Sequence, residues 1–347
     1  MVVIDNTTGD VVALSGGVGE KNTFMGYNRA TQAKLQTGSA QKPISAYAPA
    51  FESGKVSPAT VFKDLPVTYA EGHWPKNDNR KYQYARTVYQ GIVSSINTIS
   101  VRTLDAIGHE YAYSFAKYNF GQESLVETYP TEWEIKSDVG QAPLALGALT
   151  LGSTVQEMSA AYATFANNGT WREPRLYTKI YNSDGELVVD NTQDSRKILS
   201  DKTVNYMNYC LDSAVATGTG TAADMESELG IDVAGKTGTT SGQKDRYFAG
   251  FTGYYTAAVW CGFDNPEQIV LSGSTANPAA RLWKKVMLQL HKGRSTVPLY
   301  DADKMVSVSI CLDSGKLATD GCYHYFFSFL SPQMPTAIKR TPIIISI

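Results

Sequence analysis

Short apolar runs bounded by turn formers stand at both ends of the first 295 residues, and apolar positions at helical spacing fill the stretch between. Val2-Val3-Ile4 and residues 11–14 are separated by Asp5-Asn6-Thr7-Thr8-Gly9-Asp10, which predicts a β-hairpin. Gly16-Gly17 then breaks the pattern. Residues 39–51 suit a helix, with Gly38 before it and Gly54 after it. Pro43 falls within or barely past its first turn, where a missing N–H costs least. Between about 87 and 107 lies more helical material, with an apolar face of Val88, Ile92, Val93, Ile99, Val101 and Leu104. Thr154-Val155-Gln156-Glu157 is a capping-box pattern opening a helix through Tyr162 and Phe165 to Asn167-Asn168-Gly169.

Residues 176–181 and 187–189 flank Asn182-Ser183-Asp184-Gly185, a second hairpin. Ser200-Asp201 caps another helix, which ends near Ala216. Residues 247–254 and 257–263 are rich in aromatic and β-branched residues and read as strands joined by a tight turn. Residues 277–290 return to helix. The simplest packing is an α/β (α+β) fold, in which one mixed, largely antiparallel sheet is built from both ends and covered by helices. A mostly helical lobe, roughly 53–170, stands beside it, and the cleft between them is the natural substrate site. Residues 296–347 read as a C-terminal tail or small extension.

Composition narrows the class. With 43% hydrophobic and 18% charged residues the chain is an ordinary globular one, not a disordered one. A net charge of −2, with no long basic block, argues against nucleic-acid binding. No apolar run approaches the length of a membrane span, and Ile343-Ile344-Ile345 is far too short. No basic n-region with an h-region opens the chain, so no signal peptide is expected, and any anchor or further module would lie upstream. Four cysteines are too few for a disulfide scaffold. Cys311 and Cys322 flank a hairpin-like segment whose arms a disulfide could bridge; His324 is near, but no fourth metal ligand is in sight.

Three short strings carry chemistry: Ser39-Ala40-Gln41-Lys42, Ser95-Ile96-Asn97 and Lys236-Thr237-Gly238-Thr239-Thr240. Ser39 and Lys42, three apart at a helix start, share one face. A serine hydroxyl needs a neighbouring base to become a nucleophile, and lysine serves only when neutral. Burial or a nearby positive charge would achieve that, and Lys236 could supply the charge. Backbone N–H groups at the helix start favour a developing oxyanion. Taken singly, Ser39 could merely cap the helix, Ser95 and Asn97 could be loop residues, and Lys236 could sit on an edge strand. Together they make one complete acyl-transfer site. None of His73, His109, His291 and His324 accompanies a serine motif, so a Ser-His-Asp triad is not expected.

In this order the strings resemble the signature of serine acyltransferases that act on D-alanyl peptides and react with penicillins. Residues 1–290 as a whole resemble the transpeptidase domain of class A penicillin-binding proteins, whose fold is β-lactamase-like. Asn28-Arg29-Ala30-Thr31-Gln32-Ala33, Gly218-Thr219-Gly220, Trp260-Cys261-Gly262-Phe263-Asp264 and residues 306–322 extend the likeness. Gln41 and Ile44 depart from it, replacing more typical aromatics beside Lys42. The glycosyltransferase domain that usually precedes this one is not in the chain.

The resemblance implies a serine D,D-transpeptidase domain over residues 1–295, working without metal or other cofactor outside the bacterial cell membrane. Its partners would be peptidoglycan stem peptides ending in D-Ala-D-Ala, and β-lactams. It implies Ser39 as nucleophile, Lys42 as base, and a Ser95 proton relay acting with Lys42 and Lys236. Asn97 would hold the substrate amide, and Thr237, Gly238, Thr239 and Thr240 would bind its carboxylate end. The oxyanion hole would be the N–H groups of Ser39 and Thr239. A D,D-carboxypeptidase or β-lactamase would share this acylation machinery, although Glu132 and Glu134 make a poor deacylating glutamate. A β-lactam sensor or inactive scaffold is the alternative from another class.

Overall fold

The computed structural model describes residues 1–20, 24–68, 73–273 and 276–330. The isoleucines at 343–345 and the end of the C-terminal extension lie outside them. The predicted opening hairpin forms from β1 (Val2–Asp5) and β2 (Val11–Leu14). Strands from the far end of the chain complete the sheet: β3 (Ala234–Thr239), β4 (Arg246–Phe251) and β5 (Tyr255–Cys261). The strand order is β3-β4-β5-β1-β2, and every pair is antiparallel. Tight hairpins join β1 to β2 and β4 to β5, and β1 then closes on β5.

Period-two alternation separates the two faces of this sheet. Val2, Ile4, Ala249, Phe251 and Ala258 enter one core, while Val3, Phe248, Ala257 and Val259 enter another. Five principal helices are α1 (Val88–Val93), α2 (Asn97–Ile107), α3 (Val155–Ala166), α4 (Asp201–Ala216) and α5 (Pro278–Leu290). α3 starts at the predicted capping box: Glu157 N donates to Thr154 Oγ1 at 3.0 Å, and Thr154 N to Glu157 Oε2 at 2.8 Å. Met158, Ala161, Tyr162 and Phe165 on α3 join the first core. α5 covers the other face, where Trp283 meets Phe248 edge-on at 5.3 Å and donates its indole N–H to Ala257 O at 3.0 Å.

The predicted helix at 39–51 exists but is irregular. A 3₁₀ turn at Gly38–Gln41 passes into a wide π turn at Pro43–Tyr47 and then an α turn at Ala48–Glu52. Pro43 has no N–H to offer, and the Ser39 carbonyl takes the Lys42 N–H instead. The stretch from 87 to 107 is likewise two helices, α1 and α2, with Ser94-Ser95-Ile96 between them. Farther on, Lys179–Tyr181 pairs with Leu187–Asp190 as expected. Val306–Cys311 pairs with Tyr325–Leu330, and Ile310 from this hairpin is buried in the main core. Cys311 and Cys322 are free thiols there.

Candidate active site

The nucleophile turn and the Lys-Thr-Gly strand touch backbone to backbone, and two glycines permit it. A Cβ on Gly238 would stand 2.1 Å from the Thr37 carbonyl oxygen. Gly38, at φ +52°, lies so close to β3 that its Cβ would meet Thr239 O at 2.7 Å and Thr239 N at 2.9 Å. The backbone flanking Ser39 is thereby pressed against that of Gly238 and Thr239. Gly238→Ala is therefore expected to cost roughly 1–3 kcal/mol of stability through overpacking. It should also abolish labelling of Ser39 by a fluorescent penicillin; an unchanged Tm with normal labelling would refute this account.

Lys42 is fully buried, yet its ammonium meets only the second string. Nζ donates to Asn97 Oδ1 at 2.6 Å, to Ser95 O at 3.0 Å and to Ser95 Oγ at 3.4 Å. Ser95 presents both oxygens because its backbone is left-handed, φ +56°, a conformation costing a serine about 1–2 kcal/mol. Burial, and next the charge of Lys236, push the Lys42 pKa well below the usual lysine range, with Asp78 opposing. Ser39 Oγ has no hydrogen-bond partner among the described residues, Lys42 included.

Lys236 is also fully buried, and burial pushes its pKa down to about 7. Its ammonium donates to Thr219 Oγ1 and to Thr237 O, both at 3.3 Å, and Thr237 Oγ1 bonds Thr219 Oγ1 at 2.9 Å. Thr219, from the Gly218-Thr219-Gly220 string that extends the family likeness, thus joins the third string. The spacing from Thr219 to Lys236 gave no clue to this; the Gly-Thr-Gly string was the only signal. Thr239 receives a bond from Arg246 Nη1 at 3.2 Å. Thr240 is engaged elsewhere, its hydroxyl donating to Asp245 Oδ2 at 2.8 Å in the turn before β4.

A cleft of about 610 Å³ collects Ser39, Ser95, Asn97, Thr219, Thr237 and Thr239 on its walls, with Asn277 and Arg246 at one side. Lys42 and Lys236 stand behind those walls. A hydroxyl on a helix turn and two buried lysines depressed in pKa suit attack on a carbonyl next to a carboxylate. Gln41, where the resemblance expects an aromatic, is buried and pairs with Gln122 through Nε2 to Oε1 at 2.6 Å. A second buried amide thus compensates the departure. His291, the one buried histidine among the described residues, bonds Thr252 Oγ1 and Met287 O, both at 2.8 Å.

The fold and this site define a serine acyltransferase architecture, and comparison with known proteins names the family. A family model for the penicillin binding protein transpeptidase domain matches residues 1–282, and the chain belongs to that family. Penicillin-binding protein 1A of Clostridium botulinum is 32% identical over 333 residues, covering 93% of this chain and 38% of that protein. Penicillin-binding protein 1F of Bacillus subtilis is 35% identical over 294 residues, covering 83% of this chain and 38% of that protein. The chain thus spans well under half the length of these relatives. The crystal structure of penicillin-binding protein 1A from Haemophilus influenzae shares the fold at a TM-score of 0.76 and 23% identity, over 95% of this chain and 52% of that one. So does the PonA1 protein of Mycobacterium tuberculosis in complex with penicillin V, at 0.68 and 22%, over 86% of this chain and 78% of that one.

Proposed function

We propose that residues 1–295 form a serine D,D-transpeptidase unit that cross-links peptidoglycan stem peptides and is acylated by β-lactams. The observation that supports this reading is the convergence of all three strings on one cleft, with Lys42 buried against Ser95 and Asn97 and Lys236 buried against Thr219 and Thr237. Ser39 Oγ attacks the carbonyl between the terminal D-alanines and gives its proton to neutral Lys42. The oxyanion sits between the N–H groups of Ser39 and Thr239. Ser95 passes the proton to the departing D-alanine amine, leaving an ester on Ser39. Lys236, Thr237 and Thr239 hold the terminal carboxylate, and Asn97 holds the peptide amide. An amine of a neighbouring stem peptide then attacks the ester, loses its proton to Lys42 and releases Ser39.

Such a substrate places the active unit outside the cell membrane. No helix among the described residues is long and apolar enough to cross a membrane. The test is intact-protein mass after incubation with benzylpenicillin, followed over hours beside Ser39→Ala. A long-lived adduct on the wild type alone is expected, and cross-linked product from stem-peptide substrate must then follow. Rapid loss of the adduct would instead indicate a β-lactamase. An adduct without cross-linking would indicate a sensor or carboxypeptidase, and no adduct at all would overturn the acylation chemistry.

A further inference from the structure

Beside the second string, on the lining of the same cleft, lies a buried polar pair to which the acyl-transfer steps above give no role. Asp64, 2% exposed, ends the strand Val61–Asp64, and Asn77, 6% exposed, stands in the loop that follows. Asp64 accepts three hydrogen bonds: from Thr98 Oγ1 at 2.6 Å, Asn77 Nδ2 at 2.7 Å and Gln83 N at 2.8 Å. No ion pair of Asp64 is found among the described residues. Asn77 Nδ2 also donates to Lys81 O at 2.9 Å. With acceptors on that side, the amide has one orientation, and Oδ1 faces the start of α2.

There Asn77 Oδ1 accepts from Asn97 N at 3.1 Å and Thr98 N at 3.4 Å. This is a helix cap supplied in trans. The residue at the N-cap position is Ile96, whose side chain cannot accept a hydrogen bond. The neighbouring Lys76 carbonyl takes Asn97 Nδ2 at 2.8 Å, so Asn97 Oδ1 is left pointing at Lys42. One loop therefore fixes both the backbone and the side chain of Asn97.

We propose that Asp64 and Asn77 are positioning residues for acyl transfer, holding the Asn97 backbone and the loop whose Lys76 carbonyl turns the Asn97 side chain toward the Lys42 ammonium. The inference rests on the proposed role of Lys42 as base. Asp64 orients the Asn77 amide, Asn77 fixes the first turn of α2, and Asn97 fixes Lys42. An error of about 1 Å at such a base costs on the order of 10²-fold in rate.

The test is stopped-flow acylation by a chromogenic β-lactam from pH 5 to 10, on the wild type, Asn77→Ala, Asp64→Asn and the exchanged pair Asp64→Asn/Asn77→Asp. Both single variants should acylate about 10–100-fold more slowly. Asn97 Oδ1 favours charged Lys42, so loosening it should move the acid limb of the rate profile to lower pH. Lys236 and Asp78, the other charged groups acting on Lys42, are untouched in the two single variants, where the limb is read. In the exchanged pair the amide introduced at position 64 can donate to the carboxylate introduced at position 77. The second oxygen of that carboxylate still caps α2, while the first faces the Lys81 carbonyl that the amide used to donate to, so part of the rate should return, above that of either single variant. That rescue also guards against loss of folding in either single variant. Rates within twofold of wild type, or a rate loss that follows Tm with no movement of the limb, would overturn the positioning role. Absence of wild-type acylation would overturn the reading of Lys42 itself, and this role with it.

Discussion

Lys42→Met is expected to slow β-lactam acylation by about 10²–10⁴-fold in protein that stays folded, the range lost when a general base is removed. Methionine nearly preserves the volume of the buried side chain and deletes only the ammonium. The wild-type lysine is suited to the task because burial, reinforced by Lys236, has already disfavoured its charged form. Acylation should therefore rise with pH as Lys42 sheds its proton, along a limb lying well below the usual lysine range. The variant should lose that limb together with the rate. Stopped-flow acylation with circular dichroism decides the matter. A folded Lys42→Met that acylates within tenfold of wild type would remove Lys42 from the mechanism.

Lys236→Met should raise Tm while weakening acylation by carboxylate-bearing β-lactams. Lys236 is fully buried, and its hydrogen bonds to Thr219 and Thr237 are long, at 3.3 Å each. Its folded pKa of about 7 lies below the value of 10.5 for an unperturbed lysine. Between those values the unfolded chain binds more protons, so this group makes stability rise with pH across the window from 7 to 10.5. At or below pH 7 the fold carries a buried charge, and replacing it should stabilise by about 1–4 kcal/mol. The same charge attracts the ligand's carboxylate through charge-assisted hydrogen bonds of about 1.5–3 kcal/mol, so acylation should fall roughly 10- to 150-fold. In the wild type the second-order acylation constant should decline above a midpoint near 7, where Lys236 loses its proton. Saturating drug should shift that decline upward, because bound carboxylate favours the charged form. A variant that is no more stable, or a wild-type profile flat through pH 8, would contradict this.

How much of this was legible in the sequence depended on whether the cause was local. The capping box at Thr154 and Glu157, the cap at Ser200 and the turn at residues 182–185 all formed as read, because each is decided within a few residues. The three strings did meet in one cleft. The irregular turns after Gly38 were less legible. They arise where Pro43 withholds a donor while Gly38 and Gly238 let two backbones press together. The sequence assigns Thr219 no partner, because Lys236 lies 17 positions away. The bond from the Thr240 hydroxyl to Asp245, in the turn after β3, was likewise not legible in the string.

By itself, then, the sequence determined the kind of chemistry and the elements that bear it. Residue types set what a hydroxyl, an amine or a glycine can do, and period and capping act over one or two turns. Only the tertiary structure decided the working state of those groups. Whether Lys42 and Lys236 carry charge depends on burial by residues far along the chain. Which way Asn97 faces depends on the Lys76 carbonyl and on Asn77, brought to it by a separate loop. Electrostatic energy and hydrogen-bond direction follow distance and solvent exclusion in space, and a linear order of residues specifies neither until the chain has packed.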